Sequence, residues 1–325
     1  MIQNDPNEDI AVKIFNRHVS GSVAKITRFQ TGLCHFVYDI TTSNGSTYAL
    51  RISNEASSNL IESGIYWNKR LASINIPVPE IYAFQIAPPR SYMLIERFAG
   101  ADLGCVYGSL SSESKKRIAA SIAHFQKEVS KMPRANRFGY ALSYESINIS
   151  GKLSWKDVVY EEVAKAEKRI RRAGFVDHRY IDKVKSVLAR LDDYLGRIRP
   201  AAFLDDVTTK NVIIHNDAIS GIVDTDTICF GDPMFMVAIT KQALMSMNAS
   251  TDYIDFLLDE MDATKGQRSM INAYTLTFCL VFMSEIGQMF NKEIKFDKDW
   301  YERLRSNFDH IEGSLVKHKP PKKLE

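Results

Sequence analysis

Three side chains with oxygen donors set the chemistry open to this chain: Asp206, Asn211 and Asp224. The segment from Leu204 to Pro233 reads LDDVTTKNVIIHNDAISGIVDTDTICFGDP. Val212 to Ile214 form a β-branched run, His215 to Ser220 supply turn residues, and Gly221 to Val223 return as a second strand. Antiparallel strands of similar length put their outer ends side by side. Asn211 and Asp224 are therefore expected within reach of one ion, with Asp206 on the loop just before. A donor set made only of oxygen suits Mg²⁺. A calcium loop would need a ligand at every second position and a glycine at the sixth, whereas Asp224-Thr225-Asp226-Thr227 runs on into Ile228 and Cys229.

Asp206 and Asn211 stand five residues apart, the interval of the Asp-x-x-x-x-Asn catalytic loop of protein kinases and their small-molecule relatives. Asp224 falls at the metal aspartate of those enzymes, Asp226 follows it, and Gly231-Asp232-Pro233 closes the motif. On these residues the chain resembles the aminoglycoside phosphotransferase and choline kinase-like family, whose members read roughly HGDLHPGN, then IDWE, then GDP. Leu204 and Asp205 depart from the usual His and Gly of that pattern.

The resemblance implies an α+β, two-lobed protein kinase-like fold. Residues 1–98 would form a small N-terminal lobe built on an antiparallel sheet, and residues 99–325 a larger, mainly helical C-terminal lobe. It implies an enzyme that moves the γ-phosphoryl group of ATP, with GTP open as donor, to a hydroxyl of a small-molecule acceptor, with Mg²⁺ as cofactor. Asp206 would position and deprotonate the acceptor. Asn211 and Asp224 would hold Mg²⁺, Asp226 would help the metal shell, and Lys210 would either touch the transferred phosphoryl group or stay solvated. The departure at 204 and 205, together with an arginine at 51, keeps open a catalytically weak or inactive kinase-like nucleotide-binding module.

The elements that must position these groups begin upstream. Residues 22–51 carry two or three strands, with Gly32 in a turn, Phe36, Tyr38 and Ile40 alternating, and Asn44-Gly45 as a hairpin turn. By resemblance, Gly32 would belong to a nucleotide-covering loop, and Arg51 would stand where kinases keep the strand lysine that meets the α/β-phosphates. Leu60, Ile61, Gly64, Ile65, Asn68 and Leu71 recur at helical spacing. On that helix Glu62 is the expected ion-pair partner of Arg51, with Glu55 a competitor. Ile76-Pro77-Val78-Pro79 ends the helix. Tyr92 to Phe98 resembles the last strand and hinge of the N-terminal lobe, where backbone groups of Glu96 and Phe98 would bind the adenine edge.

Downstream, Ser154 is expected to cap a helix that stops at Gly174, and Ile181 to Leu195 to bury one helical face. Helical patterns then cover residues 234–248, 251–262, 267–290 and 298–315. His35, His124 and His215 are expected to be ordinary polar residues, Cys229 a small core hydrophobe, and Asp232 a structural cap. Trp155, Tyr160, Tyr253 and Tyr274 line either an acceptor pocket or the core. Glu161, Glu162, Asp255, Asp259, Glu260 and Asp262 are the acids that would have to gather to make a pocket for a polycation.

Composition agrees with a globular chain: 325 residues, 45% hydrophobic and 25% charged. A net charge of only +3 gives no field for nucleic acid, and no apolar run is long enough for a bilayer, so neither partner is expected. Four cysteines without C-x-x-C pairing fit a reducing compartment, and cytoplasm is the expected location. The basic tail from His318 is expected to be peripheral. Oligomeric state is not fixed by any of these features.

Overall fold

The computed structural model describes residues 6–29, 35–53, 58–87, 90–290, 293–294 and 297–317. Gly32, Glu55 and the tail from His318 lie outside them.

The chain opens with helix α1 (Glu8–Phe15), which starts where the Asn7 side chain accepts from the Ile10 N–H. Strands β1 (Val23–Arg28), β2 (His35–Thr42) and β3 (Thr47–Ser53) follow, then helix α2 (Ser58–Ser73) and strands β4 (Ile81–Gln85) and β5 (Tyr92–Glu96). The five strands form one antiparallel sheet in the order β1-β2-β3-β5-β4. The β2–β3 turn uses Gly45 at φ +87°, a conformation that favours glycine. Phe36, Tyr38 and Ile40 alternate inward against Ala11, Ile14 and Phe15 of α1, while Ala49, Met93 and Ile95 meet Ile61 and Ile65 of α2 on the other face. The sheet is thus held between two helices, and Arg51 is carried on its third strand.

Helices dominate after β6 (Ala101–Asp102): α3 (Leu103–Val106), α4 (Ser112–Ser130), a short strand β7 (Gly139–Ala141), α5 (Tyr144–Ser150), α6 (Trp155–Ala173), α7 (Arg179–Ala189) and α8 (Asp192–Leu195). Next come β8 (Ala201–Phe203), the hairpin β9 (Val212–His215) and β10 (Ala218–Ile222), and β11 (Ile228–Gly231). The chain finishes with α9 (Met234–Ser246), α10 (Asp252–Glu260), α11 (Lys265–Met283), a small hairpin β12 (Met289–Phe290) and β13 (Glu293–Ile294), and α12 (Lys298–Lys317). Helix α6 starts at the Ser154 cap and ends at Gly174 in the left-handed region, as its sequence requires.

Two helical patterns are shorter than expected. The run to Leu195 breaks at Arg190-Leu191 into α7 and α8. The run over 267–290 stops at Met283, and Gly287 then takes φ +75° against the Phe175 ring, which leaves no room for a Cβ. Trp155, Tyr253 and Tyr274 are buried in the C-terminal core, and Tyr160 is half-buried beside Asp192, so these aromatics are core residues.

Candidate active site

The β9–β10 hairpin turns on Asn216 and Asp217, both at positive φ, as its two-residue turn requires. Val212 pairs with Ile222, and the ladder extends one step outward because the Val223 N–H donates to the Asn211 carbonyl at 2.9 Å. Asp224 follows directly, at φ +62°. The expected juxtaposition of Asn211 and Asp224 at the open end of the hairpin is therefore present. Asn211 Nδ2 donates to the Asp206 carbonyl at 3.0 Å and so ties the preceding loop to the same end, while Thr208 Oγ1 donates to Asp206 Oδ1 at 3.0 Å.

The Asp206 carboxylate opens to the cleft. The crowding of protein around it, then the charge of Asp224, push its pKa up to about 6, against the pull of Thr208, Asn211 and the Lys210 ammonium. Lys210 is exposed on the same turn. Asp205, Asp206, Val223, Asp224, Thr225 and Thr227 border a small, shallow recess. A wider depression lined by His18, Tyr48 and Tyr82 lies on the N-terminal sheet, and no candidate site residue borders it.

Arg51 is buried and faces this end of the hairpin. Its Nη1 donates to Asp226 Oδ1 at 2.9 Å, and its Nη2 donates to Asp226 Oδ2 at 2.6 Å and to Asp224 Oδ1 at 2.8 Å. Burial works against the charge, but the two aspartates outweigh it and raise the guanidinium pKa. The expected Glu62–Arg51 ion pair is not formed. Glu62 is exposed on α2, and the adjoining Ser63 and Gly64 face the hairpin, with Ser63 Oγ donating to the Asp226 carbonyl. His35 also departs from expectation: it is 5% exposed, and its Nε2 lies 2.9 Å from Asp226 Oδ2.

At the hinge, the Glu96 N–H is taken by the Glu80 carbonyl at 2.8 Å and the Phe98 carbonyl by Arg97 Nη1 at 2.7 Å. The Phe98 N–H has no such partner among the described residues.

Among the described residues no three His, Cys, Asp or Glu cluster into a metal site. The donor set still fits Mg²⁺, which takes one or two carboxylates and completes its shell with phosphate and water. Asp224 Oδ2 has no bond among the described residues on a half-exposed side chain, and Asn211 Nδ2 is used on Asp206, which leaves its Oδ1 as an acceptor.

One supporting residue carried no motif. Gln126 on α4, 3% exposed, bonds both backbone groups of Leu204: Nε2 donates to the Leu204 carbonyl at 2.7 Å and Oε1 accepts from its N–H at 2.9 Å. Asp205 is partly buried, and desolvation first and Asp206 second raise its pKa well above the usual carboxylate range. Asp232 of the GDP triplet takes the capping position expected of it. Gly231 lies against the Trp155 ring, and Asp232 accepts from the Met234 N–H, Tyr194 and Tyr274. Cys229 is a buried core residue, whereas His124 and His215 are exposed. Of the acids of α6 and α10, Glu161 and Glu162 pair with Lys152 and Lys165, and Asp259 with Arg268.

An antiparallel sheet lobe and a helical lobe, meeting at a loop that presents Asp206, Asn211 and Asp224 toward a buried strand arginine, define a protein kinase-like phosphotransferase fold. The chain belongs to the phosphotransferase enzyme family APH, whose family model matches residues 25–263. Similar solved structures include a thermostable mutant of aminoglycoside phosphotransferase APH(4)-Ia in its apo form, at 16% identity and TM-score 0.68, covering 95% of this chain and 99% of that one. A putative fructosamine-3-kinase from Haemophilus somnus 129PT is similar at 14% identity and TM-score 0.62, over 93% and 96% of the two chains. ADP-bound aminoglycoside phosphotransferase APH(2'')-Ib is similar at 13% identity and TM-score 0.62, over 96% and 99%. No curated protein matches the chain in sequence. No helix among the described residues is long and apolar enough to cross a membrane.

Proposed function

We propose that this protein transfers the γ-phosphoryl group of ATP, or of GTP, to a hydroxyl of a small molecule. The observation that carries the proposal is the placement of an accessible Asp206 on a loop whose carbonyl is bonded by Asn211, next to Asp224 and opposite Arg51. Asp206 accepts the proton of the attacking hydroxyl and fixes its direction. Lys210, exposed beside it, neutralises charge on the moving phosphoryl group. Asn211 and Asp224 hold Mg²⁺, which when bound offsets phosphate charge, and Arg51 faces the α/β-phosphates. The lobes divide after Phe98: residues 1–98, with Gly32, Glu96 and Phe98, take the nucleotide, and residues 99–325 take the acceptor. Structures of related enzymes support a nucleotide donor, since one APH(4)-Ia structure holds AMP-PNP and hygromycin B. The unpaired cysteines at 105, 229 and 279 are consistent with a cytoplasmic location.

The testing experiment incubates the protein with Mg·ATP and a pooled set of hydroxylated metabolites and aminoglycosides, and reads the gain of one phosphoryl group by mass spectrometry. Product from the unsubstituted protein and none from Asp206→Asn is the expected result. Tight Mg·ATP binding without any product from a broad acceptor set would favour the second reading, a nucleotide-binding module of weak activity. That reading draws on Leu204 and Asp205 in place of His and Gly, and on Arg51 lying against Asp224.

A further inference from the structure

The carboxylate that meets Arg51 most fully comes from Asp226 on the segment after β10, and not from helix α2. Both guanidinium arms fork onto its two oxygens, the geometry that makes arginine–carboxylate pairs strong and directional. Oδ2 also meets His35 Nε2 at 2.9 Å. An ionised carboxylate only accepts, so Nε2 carries the ring proton. Burial alone would favour the neutral acid, yet Arg51 and His35 together hold the Asp226 carboxyl below its usual range. The other ring nitrogen of His35 is buried with no partner among the described residues, so the ring is kept in place by the Asp226 contact despite an unsatisfied atom.

Helix α2 makes the room for this arrangement. A Cβ at position 64 would lie 2.6 Å from Asp226 Oδ1, so only glycine lets the carboxylate occupy the gap between the helix and Arg51. Ser63 then closes the contact through the Asp226 carbonyl. The helix thus offers a vacant position where an acidic side chain would reach Arg51, and Asp226 fills it.

We propose that Asp226 is a positioning residue and not a metal ligand: with His35 it fixes the Arg51 guanidinium for the α/β-phosphates, in the place of a helix carboxylate. Three N–H donors already converge on its two oxygens, and ligating a cation would require it to give up Arg51. The proposal rests on the phosphotransferase reading above, and its signature in this sequence is the set Gly64, Asp226 and His35.

The test measures ADP affinity by calorimetry with Mg²⁺ and with EDTA, in the full-length protein. Asp226→Asn and Arg51→Met are each expected to weaken binding on the order of tenfold or more, by the same factor in both conditions, and the double variant is expected to be no weaker than Arg51→Met alone. A loss confined to the Mg²⁺ condition, or additive losses, would overturn the proposal and return Asp226 to the metal. If Asp226→Asn does not fold, the pair Gly64→Asp with Asp226→Ala brings a carboxylate from the helix side instead. Recovery of EDTA-insensitive affinity in that variant supports the proposal, and a folded variant as weak as Arg51→Met defeats it. Absence of nucleotide binding by the unsubstituted protein would instead overturn the phosphotransferase reading. The Arg51–Asp226 coupling would then be read from a double-mutant cycle on thermal unfolding.

Discussion

Gln126 grips both backbone polar groups of Leu204, with its amide donating to the carbonyl at 2.7 Å and accepting from the N–H at 2.9 Å. Leu204 begins the loop that delivers Asp206, and its own side chain is buried in the C-terminal core. The clamp therefore ties helix α4 to the start of the catalytic segment. Gln126→Leu keeps the volume but leaves two buried backbone groups unpaired, at a cost of about 2 kcal/mol or more. We expect a lower Tm together with a lower kcat, and a variant with unchanged kcat would show that the clamp serves stability alone.

Asp206→Asn is expected to retain nucleotide affinity and to lose turnover by about 10²- to 10⁴-fold. Enclosure and the neighbouring Asp224 charge set the Asp206 pKa at about 6. The base works in its ionised form, so kcat/KM should rise with pH on the acid side and level off above that value. Binding of a cation at Asp224 removes part of the upward push, which moves the limb lower. A pH–rate profile with and without excess Mg²⁺ checks both statements.

Asp205 stands where the family pattern has glycine, and its carboxyl is held well above the usual range by desolvation and by Asp206. A carboxylate whose folded pKa is raised binds its proton more tightly in the fold. Its ionisation therefore costs no stability below the unfolded pKa, near 3.8, and a growing amount as pH climbs from there toward the raised folded value, above which the cost levels off. Asp205→Asn should raise Tm at neutral pH, with the gain shrinking to nothing toward pH 3. Calorimetric scans across that range test the sign directly, and a gain that grew on acidification would exclude the assignment.

Gly231→Ala places a Cβ 2.1 Å from the Trp155 ring, whose Nε1 is bonded to Tyr274 and through it to Asp232. Neither backbone nor indole can yield without breaking that chain, so a loss of about 1–3 kcal/mol is expected. Chemical denaturation of the variant supplies the measurement.

Much of the site was legible because its parts are local. Asn211 and Asp224 flank one hairpin, whose strand pairing fixes that they meet, and Asp206 stands only five residues before Asn211 on the adjoining loop. Cap signals placed α6 correctly from Ser154 to Gly174. What sequence spacing could not show was the identity of partners brought from afar. Arg51 and Asp226 are 175 positions apart, and Gln126 and Leu204 are 78 apart. Glu62 is an acid on the right helix, but its side chain is exposed. One residue along a helix turns the side chain by about 100°, and the face that meets the hairpin belongs to Ser63 and Gly64. A glycine at helical spacing inside an otherwise good helix was the available signal, since such a residue marks close approach by something else. Gln126 gave no signal, because a glutamine on an amphipathic helix has no pattern of its own.

The passage between the lobes is fastened to the same hairpin that carries the candidate metal residues. Phe98 packs its ring onto Gly221, where any Cβ would collide with it. Gly100 passes against the Ile214 carbonyl, and the Ile222 N–H reaches back to the Pro77 carbonyl at 2.7 Å. In a rigid rotation each atom travels in proportion to its distance from the axis. A rocking of one lobe on the other that kept these ties would have its fulcrum at β9 and β10. Asn211 and Asp224, beside the fulcrum, would stay in register through opening and closing, while the outer strands β1 and β2 would sweep the longest arc.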